Sequence, residues 1–498
     1  MKLKKLLKDI KGIEIRGPKE IEISGVCANS KYVAPGNLFI ARRGKDHDGG
    51  DFIPEAIASG AKAVLTDLYD PAYKEIAQIV CHDVKKVEAE LAAAYYELPS
   101  DKLYMVGITG TSGKTTVSYL VKHLLEKLDG PAGLMGTIEY QIGEMRYPAT
   151  HTTPDVTRVH KLLKEMVDLK MRSCVMEVTS HALDQGRVEG VNFDTAVFTN
   201  LSPEHLDYHP DMEAYAKAKE RLFHMLSQKQ SKEKASFGKS AIINADSPWS
   251  SHMLERYRGQ VLTYGVENHA DVRAAGINYF PGKTEFKAVF RGISCPVFLP
   301  FSGKFNVYNF LAALSVGLSR GFSLESSVRV LENPPKIPGR LEYIDNKLGI
   351  VCLVDYAHKP DALENVLKTL SDIKTGKVIT VFGCGGGGGG HKRPLMARAA
   401  EMYSDKVVVT TDNPRSEDPL AIIEAIKRGF SGKRPVAVEP DRKKAIAHAI
   451  EEAKEGDIVL IAGKGHEASQ IFHNKTVPFD DRKEAKECLD LKESVRCR

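Results

Sequence analysis

The chain has no long uncharged apolar stretch, so the sequence lacks the signal of a membrane-spanning helix. Its basic start, MKLKKLLKDIKG, has no continuous apolar core of the kind found in a secretory signal peptide. The 498 residues carry a formal net charge of only +5, which gives no indication of a nucleic-acid-binding surface. We therefore expect a cytoplasmic protein that binds neither nucleic acid nor a membrane.

Cysteine pairs and internal repeats are also absent from the sequence. The eight cysteines are scattered and form no C-x-x-C pair, which argues against a disulfide framework or a cysteine-based zinc site. The length indicates about three domains, and an apolar content of 42% is enough to fill their cores. We expect reduced thiols in a multidomain α/β protein.

Residues 103–128 predict a strand, a glycine-containing turn and a helix, in that order. Leu103 to Ile108 form a short apolar run, and apolar residues recur at helical spacing from Val117 to Leu128. The turn TGTSGKTT offers backbone N–H groups at a helix N-terminus, an arrangement that binds phosphate. Lys114 is placed to reach the outer phosphates, and Thr115 to offer a hydroxyl to Mg²⁺.

The glycine spacing in this turn differs from the common nucleotide-binding loop. That loop has a glycine six residues before its lysine, and here this position is Ile108. The remaining pattern is Gly110-x-x-Gly113-Lys114. A glycine turn that merely starts a helix is the alternative interpretation.

Proline-containing or charged segments, ELPSDKL and ENPPKIPGRLEYI, predict two domain boundaries. We expect domains at 1–100, 101–336 and 337–498. In the second, Glu177 lies inside the apolar strand SCVMEV, where a carboxylate needs a partner or a metal. The third alternates apolar runs with helical patterns, which indicates a mainly parallel sheet with polar clusters at the carboxyl ends of its strands.

Nine motifs extend through all three segments: GTSGKTT, EVTSHALDQGR, TNLSPEHLDYH, AKAKERLF, GKFNVYN, PGRLE, DYAHKPDAL, DNPRSEDP and AGKGHE. With these motifs the chain resembles the Mur ligases, the ATP-dependent amide-forming enzymes of peptidoglycan precursor synthesis. The resemblance implies an N-terminal UDP-substrate domain, a central P-loop ATPase-type domain with a parallel sheet and a C-terminal Rossmann-like domain that binds the amino acid. It also implies that ATP phosphorylates a substrate carboxylate and that an amine then attacks the acyl phosphate. We expect a monomer with small-molecule substrates.

The resemblance also assigns roles to individual residues. The residues with catalytic roles are Lys114, Glu177, His205 and Lys219. The residues with Mg²⁺-binding roles are Thr115, Glu177, His205 and Lys219, the last as a carbamate. ATP-binding roles fall on Gly110, Thr111, Ser112, Gly113, Lys114, Thr115, Thr116, Asn309, Arg340 and Asp355. UDP-N-acetylmuramoyl-dipeptide-binding roles fall on Ser30, Lys45, Asp46, His47, Thr152, Thr153, Thr179, Gln185 and Arg187.

The incoming amino acid is assigned to the third domain by the same resemblance. Its binding residues are Arg393, Asp412, Asn413, Pro414, Arg415, Gly463 and Glu467. Asp-Asn-Pro-Arg marks the family members that add meso-diaminopimelate. This amino acid differs from lysine by a second carboxylate, which the planar guanidinium of Arg415 can hold with two charge-assisted hydrogen bonds.

One loop departs from the family pattern. Where the family has Asp-Arg-Asp ahead of Lys-Arg-Pro, this chain has Gly387, Gly388 and Gly389. The glycines add backbone freedom and remove charge near the expected amino-acid pocket. Our hypothesis is a compensated natural variant, and the alternative is weakened activity or altered amino-acid preference.

Several other functions remain alternatives. Within the family these are a lysine-adding or relaxed-specificity enzyme, the enzyme that adds a dipeptide, and a folylpolyglutamate-synthetase-like ligase. Outside it, a P-loop motor or switch would be expected to show the common glycine spacing. A non-catalytic nucleotide-binding relic would have little reason to keep Lys114, Glu177, His205, Lys219, Asp412 and Arg415 together.

Overall fold

The computed structural model describes residues 1–44, 47–228, 238–280 and 282–496. The chain forms two compact units. One unit contains residues 1–273 and 311–330, and the other contains residues 274–310 and 331–498. The three-domain division with boundaries near residues 100 and 336 stays a prediction.

The first unit begins with a five-stranded sheet. Its strands are β1 (Ile13–Arg16), β2 (Gly25–Cys27), β3 (Asn37–Ile40), β4 (Ala63–Thr66) and β5 (Ala77–Cys81), accompanied by helices α1 (Leu3–Leu6), α2 (Ile53–Ala58) and α3 (Val84–Tyr95). The strand order is β1-β5-β4-β3-β2. All neighbours are parallel except β1 and β5, which are antiparallel.

A second, larger sheet follows in the same unit. Its strands are β6 (Tyr104–Thr109), β7 (Ala132–Met135), β8 (Glu139–Ile142), β9 (Met145–Pro148), β10 (Ser173–Glu177), β11 (Thr195–Phe198), β12 (Ser240–Asn244), β13 (Gln260–Gly265) and β14 (Val272–Phe280), of which β14 ends in the second unit. Helices of this region are α4 (Lys114–Leu128), α5 (Val156–Asp168), α6 (Ser180–Asp184), α7 (Met212–Gln228) and α8 (Ser250–Met253). From β14 the order is β14-β13-β12-β11-β6-β10-β7-β8-β9, and the next two strands of the chain continue the same sheet beyond β14. Pairing from β14 to β7 is parallel, and β8 and β9 are antiparallel to their neighbours.

Burial explains why the central strands read as continuous apolar runs. Every residue of β10 is buried, as expected for a parallel strand covered on both faces. The predicted helix over residues 117–128 is confirmed, and Leu120, Val121, Leu124 and Leu125 form its buried face. This packing holds the loop between β6 and α4 at the carboxyl edge of the sheet.

The second unit contains the remaining elements. They are β15 (Lys283–Phe290), β16 (Ile293–Leu299), α9 (Lys304–Ser319), α10 (Leu324–Leu331), β17 (Glu342–Tyr343), β18 (Val351–Asp355), α11 (Pro360–Ile373), β19 (Val378–Phe382), α12 (Lys392–Tyr403), β20 (Lys406–Val409), α13 (Pro419–Lys427), β21 (Val436–Val438), α14 (Arg442–Glu452), β22 (Ile458–Ala462), β23 (Ser469–Phe472), β24 (Lys475–Pro478) and α15 (Asp481–Arg496), with α9 and most of α10 crossing into the first unit. A six-stranded sheet has the order β17-β18-β22-β19-β20-β21 and is parallel except at β17. The predicted mainly parallel sheet is confirmed.

Two further sequence expectations can be compared with the structure. The cysteines in the described ranges are free thiols. No helix in those ranges combines the length and the apolar character needed to cross a membrane.

Candidate active site

The glycine-containing loop that is predicted to bind phosphate joins β6 to α4; we call it the phosphate-binding loop. Gly110 and Gly113 have φ angles of 147° and 87°, conformations that L side chains rarely adopt. A Cβ atom on Gly110 would lie 1.9 Å from Thr199 Oγ1, so this position requires glycine. The hydroxyl of Thr199 donates to the carbonyl of Ser112 at 2.7 Å. The loop therefore makes the tight turn that the sequence predicted, directly before the α4 N-terminus.

Two lysines meet at this loop. Lys114 Nζ donates to the carbonyl oxygens of Gly110 and Thr111 at 2.8 and 2.9 Å. Lys219 Nζ, from α7, donates to the same Gly110 oxygen at 2.9 Å and lies 4.5 Å from the centre of the Tyr215 ring. Burial, reinforced by the charge of Lys114, holds the pKa of Lys219 well below its usual value. The Lys219 amine is therefore neutral at a lower pH than an ordinary lysine.

Glu177 is fully buried at the end of β10. Its Oε2 atom accepts hydrogen bonds from the hydroxyls of Thr115 and Thr137 at 3.0 and 2.9 Å. Its Oε1 atom accepts the backbone N–H of Thr137 at 2.9 Å. The expected partners of this buried carboxylate are therefore present, and the structure brings the predicted pair Thr115 and Glu177 into direct contact.

His205 lies in the loop after β11 and has a left-handed φ of 56°. Its Nε2 atom is 2.9 Å from the Glu204 carboxylate, and its ring centre is 4.6 Å from that of His181. The ring of Tyr215, which also contacts Lys219, lies 6.2 Å from the His205 ring. Burial, followed by the charges of His205 and His209, lowers the pKa of His181 to about 4. His205 thus has a neutral imidazole as its neighbour near pH 7.

The residues predicted to hold the muramoyl-peptide end form one hydrogen-bonded network with Glu177. Thr153 donates its hydroxyl to the Glu177 carbonyl at 2.8 Å and accepts the N–H of Thr179 at 3.2 Å. Arg187 donates to the Thr153 carbonyl at 3.0 Å and to Gln185 Oε1 at 2.9 and 2.7 Å. Completing the network, the hydroxyl of Thr152 lies 3.2 Å from that of Thr137.

The residues predicted to bind the UDP end lie elsewhere in the first unit. Ser30 is buried at the start of a short 3₁₀ helix, and the exposed ring of His47 packs edge-on against Phe52 with ring centres 6.1 Å apart. Lys45 and Asp46 lie outside the described residues. Their role as a group stays a prediction.

The second unit contains the other predicted nucleotide contacts. Asn309 is buried on α9 and donates to Asn306 Oδ1 at 3.3 Å. Asp355 ends β18 and accepts the N–H groups of Leu341 and Ala357 at 2.7 and 2.8 Å. Burial raises the pKa of Asp355, against the opposing effect of Arg340.

Asn413 and Glu467, two predicted amino-acid contacts, are hydrogen-bonded to each other. Asn413 Nδ2 donates to Glu467 Oε2 at 2.7 Å. The fully buried Lys464 donates to Asn413 Oδ1 at 3.0 Å and lies 3.1 Å from the Glu467 carboxylate. Lys464 belongs to one of the polar clusters that were expected at the carboxyl ends of the strands, but no role was predicted for it.

The carboxyl ends of β20 and β22 meet at Asp412 and Gly463. A Cβ atom on Gly463 would lie 2.8 Å from Asp412 Oδ2, and Gly463 has a φ of 114°. Beneath them, the buried Arg442 binds both oxygens of Asp481 at 2.7 Å and donates to the Ala462 carbonyl at 2.9 Å. This ion pair was not predicted.

Arg415 contacts the run of glycines at residues 385–390, which we call the polyglycine loop. The exposed Arg415 has a left-handed φ of 54° and donates its N–H to the Ile471 carbonyl at 2.9 Å. Its guanidinium donates to the carbonyl of Gly386. A neighbouring cavity of about 380 Å³ is lined by Pro414, Arg415, Glu417, Pro419, Phe472, His473, Asn474 and Lys475.

Arg393 forms an ion pair that the sequence did not predict. Its Nη2 atom donates to Glu417 Oε2 at 2.8 Å and to the Gly385 carbonyl at 3.3 Å. Glu417 Oε1 accepts the N–H of Gly387 at 2.7 Å. This hydrogen bond, followed by that from Arg393, lowers the pKa of Glu417. Glu417 thereby fixes both the polyglycine loop and one of the predicted amino-acid contacts.

Comparison with protein families gives matches in three parts of the chain. Residues 22–96 match the Mur ligase family catalytic domain, residues 108–317 the Mur ligase middle domain, and residues 339–465 the Mur ligase glutamate ligase domain. UDP-N-acetylmuramoyl-L-alanyl-D-glutamate–2,6-diaminopimelate ligase of Chlamydia caviae is 43% identical over 492 residues, covering 98% of this chain and 99% of the relative.

Solved structures agree with these matches. A structure of a UDP-N-acetylmuramoyl-L-alanyl-D-glutamate–2,6-diaminopimelate ligase aligns with a TM-score of 0.71 and 33% identity, covering 99% of both chains. The fold is also similar to that of the MurF ligase from Thermotoga maritima, solved in complex with ADP, with a TM-score of 0.63, 21% identity and coverage of 95% and 98%. By its fold and by its similarity over almost the full length to these relatives, the chain is a member of the Mur ligase family.

Proposed function

We propose that this ligase adds meso-diaminopimelate to UDP-N-acetylmuramoyl-L-alanyl-D-glutamate, using ATP, in the synthesis of peptidoglycan precursors. The observation that carries the proposal is Arg415, an exposed residue that lines a cavity. It follows Asn413 by two positions, and the Asn413 side chain is hydrogen-bonded to Glu467. A guanidinium there can hold the distal carboxylate, and Glu467 can receive the distal ammonium. The chlamydial relative that bears this activity in its name covers 98% of the chain.

The reaction proceeds in two steps. The D-glutamate carboxylate first attacks the γ-phosphorus of ATP, which forms an acyl phosphate and releases ADP. The unprotonated amine of diaminopimelate then attacks the acyl carbon, phosphate leaves with the electrons of the C–O bond, and the nitrogen gives up one proton to form the amide. Both steps require positioning of the reactants and exclusion of water.

The phosphate-binding loop serves the first step. The N–H groups around Gly110 to Gly113 and the α4 N-terminus bind the phosphates, and Lys114 exchanges its loop carbonyl contacts for the transferring phosphoryl group. The remaining nucleotide contacts are Asn309, Arg340 and Asp355. The Thr153–Gln185–Arg187 network is bonded to the same β10 end as Glu177, which suits it to hold the substrate peptide beside the phosphates.

Mg²⁺ fits the oxygen donors around Glu177. Thr115 Oγ1 and the Glu177 carboxylate are hard ligands in direct contact. Together with His205 and Lys219 they would hold the ion, which would neutralise charge on the phosphates. The low pKa of the buried Lys219 amine favours reaction with CO₂, giving an anionic carbamate and a proton. The carbamate would give the ion an anionic oxygen ligand at this position, which the unmodified amine does not provide.

In this proposal each of the three segments binds one substrate. Residues 1–100 bind the UDP-sugar, 101–336 bind ATP and 337–498 bind the amino acid. A lysine-adding enzyme is the second candidate because Gly387 to Gly389 replace charged residues near the pocket. The presence of Arg415 argues against a lysine-adding enzyme, because lysine has no distal carboxylate that this guanidinium could bind.

The test is product formation from purified components. The full chain is incubated with UDP-N-acetylmuramoyl-L-alanyl-D-glutamate, ATP, Mg²⁺ and meso-diaminopimelate, and the nucleotide products are identified by mass spectrometry. We expect the UDP-linked tripeptide and ADP, each dependent on all three substrates. ADP formation without tripeptide, or no product at all, would contradict the proposal.

A further inference from the structure

Three side chains that could hold a metal ion lie close together at α7 and α8, and none of them is assigned to catalysis. Glu220 lies on α7, His252 on the four-residue helix α8, and Glu255 just after it. One ligand atom of each residue lies within 4.8 Å of those of the other two. A small movement of the side chains would bring the three ligand atoms around a single ion.

The imidazole of His252 is oriented as in a metal site. Its Nδ1 atom faces the Glu213 carboxylate at 3.4 Å. Its Nε2 atom is buried and has no hydrogen-bond partner among the described residues. Metal-binding histidines typically give one ring nitrogen to a carboxylate and keep the lone pair of the other for the ion. A proton on Nδ1, on the side that faces the Glu213 carboxylate, would leave the lone pair of Nε2 available to the ion.

Glu220 has a buried oxygen that also lacks a hydrogen bond. The residue is 5% exposed, and its Oε1 atom has no hydrogen-bond partner in the described part of the chain. The Nε atom of Arg256 is 3.7 Å from this oxygen, too far for a hydrogen bond. A buried carboxylate in this position is stabilised by a cation that contacts it directly.

We propose that Glu220, His252 and Glu255 bind a divalent transition metal ion of the zinc type. One imidazole nitrogen with two carboxylate oxygens suits zinc and its neighbours, whereas Mg²⁺ prefers oxygen ligands alone. The ion ties the short helix α8 to α7. Because a four-residue helix is unstable by itself, this connection stabilises the region that packs against α7, the helix that carries Lys219.

The only tryptophan of the chain provides a local probe of this site. The ring centre of Trp249 lies 5.9 Å from that of His252, so a bound open-shell ion quenches its fluorescence. The full-length protein is stripped with a chelator, supplied with excess Mg²⁺ to occupy oxygen-ligand sites, and titrated with Co²⁺. We expect saturable quenching with one ion per chain.

Two variants and one control test whether the ion binds at these three residues. We expect His252→Ala and Glu255→Gln each to weaken the apparent Kd for Co²⁺ by at least about tenfold. Glu255 is exposed, so its substitution leaves the fold intact even if His252→Ala does not. The control His269→Ala, at an exposed histidine of the same unit, leaves the Kd unchanged. Absence of saturable quenching in the wild type, or equal quenching in Glu255→Gln, would overturn the proposal.

Discussion

The Nζ atoms of Lys114 and Lys219 both donate to the carbonyl oxygen of Gly110, at 2.8 and 2.9 Å. Two ammonium groups cannot share one buried acceptor without strong repulsion. Burial and the charge of Lys114 lower the pKa of Lys219, which reduces this repulsion because the amine loses its proton at a lower pH. The unprotonated amine is the form of lysine that reacts with CO₂, so the lowered pKa favours the carbamate that we propose at Lys219.

Activity should therefore depend on CO₂ through Lys219. We expect Lys219→Arg to lower kcat by about 100-fold or more, because a guanidinium forms no carbamate and repels the metal. With ¹³C-bicarbonate, the wild type should give a carbamate NMR signal that this variant lacks. As the pH falls through the lowered pKa of Lys219, the amine gains a proton, so the signal should disappear on the acidic side. A wild type without the signal, and with activity independent of bicarbonate, would refute the carbamate.

We expect the conformation of the polyglycine loop to require glycine, so that the charged residues of the family pattern would not improve activity. Gly387, Gly388 and Gly389 have φ angles of 85°, 141° and 72°, conformations in which L side chains are strained by about 1 kcal/mol or more each. We expect replacement of the three glycines by Asp-Arg-Asp to leave kcat/KM for the amino acid unchanged or lower it. Replacement by three alanines, as a control, separates backbone strain from charge. A hundredfold increase in kcat/KM for the Asp-Arg-Asp variant would contradict the hypothesis that Glu417, by binding Gly387 and Arg393, compensates for the missing charged residues.

The ion pair between Arg442 and Asp481 should be essential for the stability of the second unit. Both side chains are fully buried, and two hydrogen bonds of 2.7 Å join them. We expect Asp481→Asn to destabilise this unit by about 3–5 kcal/mol, because it removes the hydrogen-bonded counter-charge of a buried guanidinium and leaves it Asp412, which lies 3.9 Å away.

Urea unfolding of the two variants Asp481→Asn and Lys443→Ala measures this effect. Lys443 is the residue next to Arg442 and forms its ion pairs at the surface, where such pairs contribute little. Its substitution should leave the unfolding midpoint almost unchanged. Equal midpoints for both variants would show that the buried pair has no special role.

His466 should make the second unit less stable in acid. Burial, followed by the charges of Arg340 and Arg482, lowers the pKa of His466 to about 4. Between about pH 6.5, the ordinary value, and pH 4, the unfolded chain binds a proton that the folded chain does not, so stability falls as the pH falls.

Melting temperatures at pH 7 and pH 5 test this dependence. We expect His466→Gln to lose less stability over this interval than the wild type. His473→Gln, at an exposed histidine of the same unit, should behave like the wild type. If all three proteins lose the same amount of stability between pH 7 and pH 5, His466 does not contribute to the pH dependence.

Periodicity and motif order predicted a large part of the fold and of the site from sequence. The β6–loop–α4 unit, the buried strand that ends at Glu177 and the parallel C-terminal sheet all follow from local patterns. The contacts of Thr137 with Glu177, of Glu417 with Arg393 and of Asp481 with Arg442 do not. Each joins residues at least 24 positions apart, and each contains a polar residue whose local sequence is typical of a solvated side chain. Only tertiary packing turns these residues into buried partners.

The most direct test of the account measures phosphate release in the presence of UDP-N-acetylmuramoyl-L-alanyl-D-glutamate, ATP and Mg²⁺, with meso-diaminopimelate or L-lysine added in turn. We expect release with diaminopimelate alone. In Arg415→Ala we expect the KM for diaminopimelate to rise at least about 30-fold, since losing a charge-assisted pair costs about 2 kcal/mol or more, while the KM for ATP stays constant. Release with lysine by the wild type, or an unchanged KM for diaminopimelate in Arg415→Ala, would contradict the role of Arg415 as the residue that selects the amino acid.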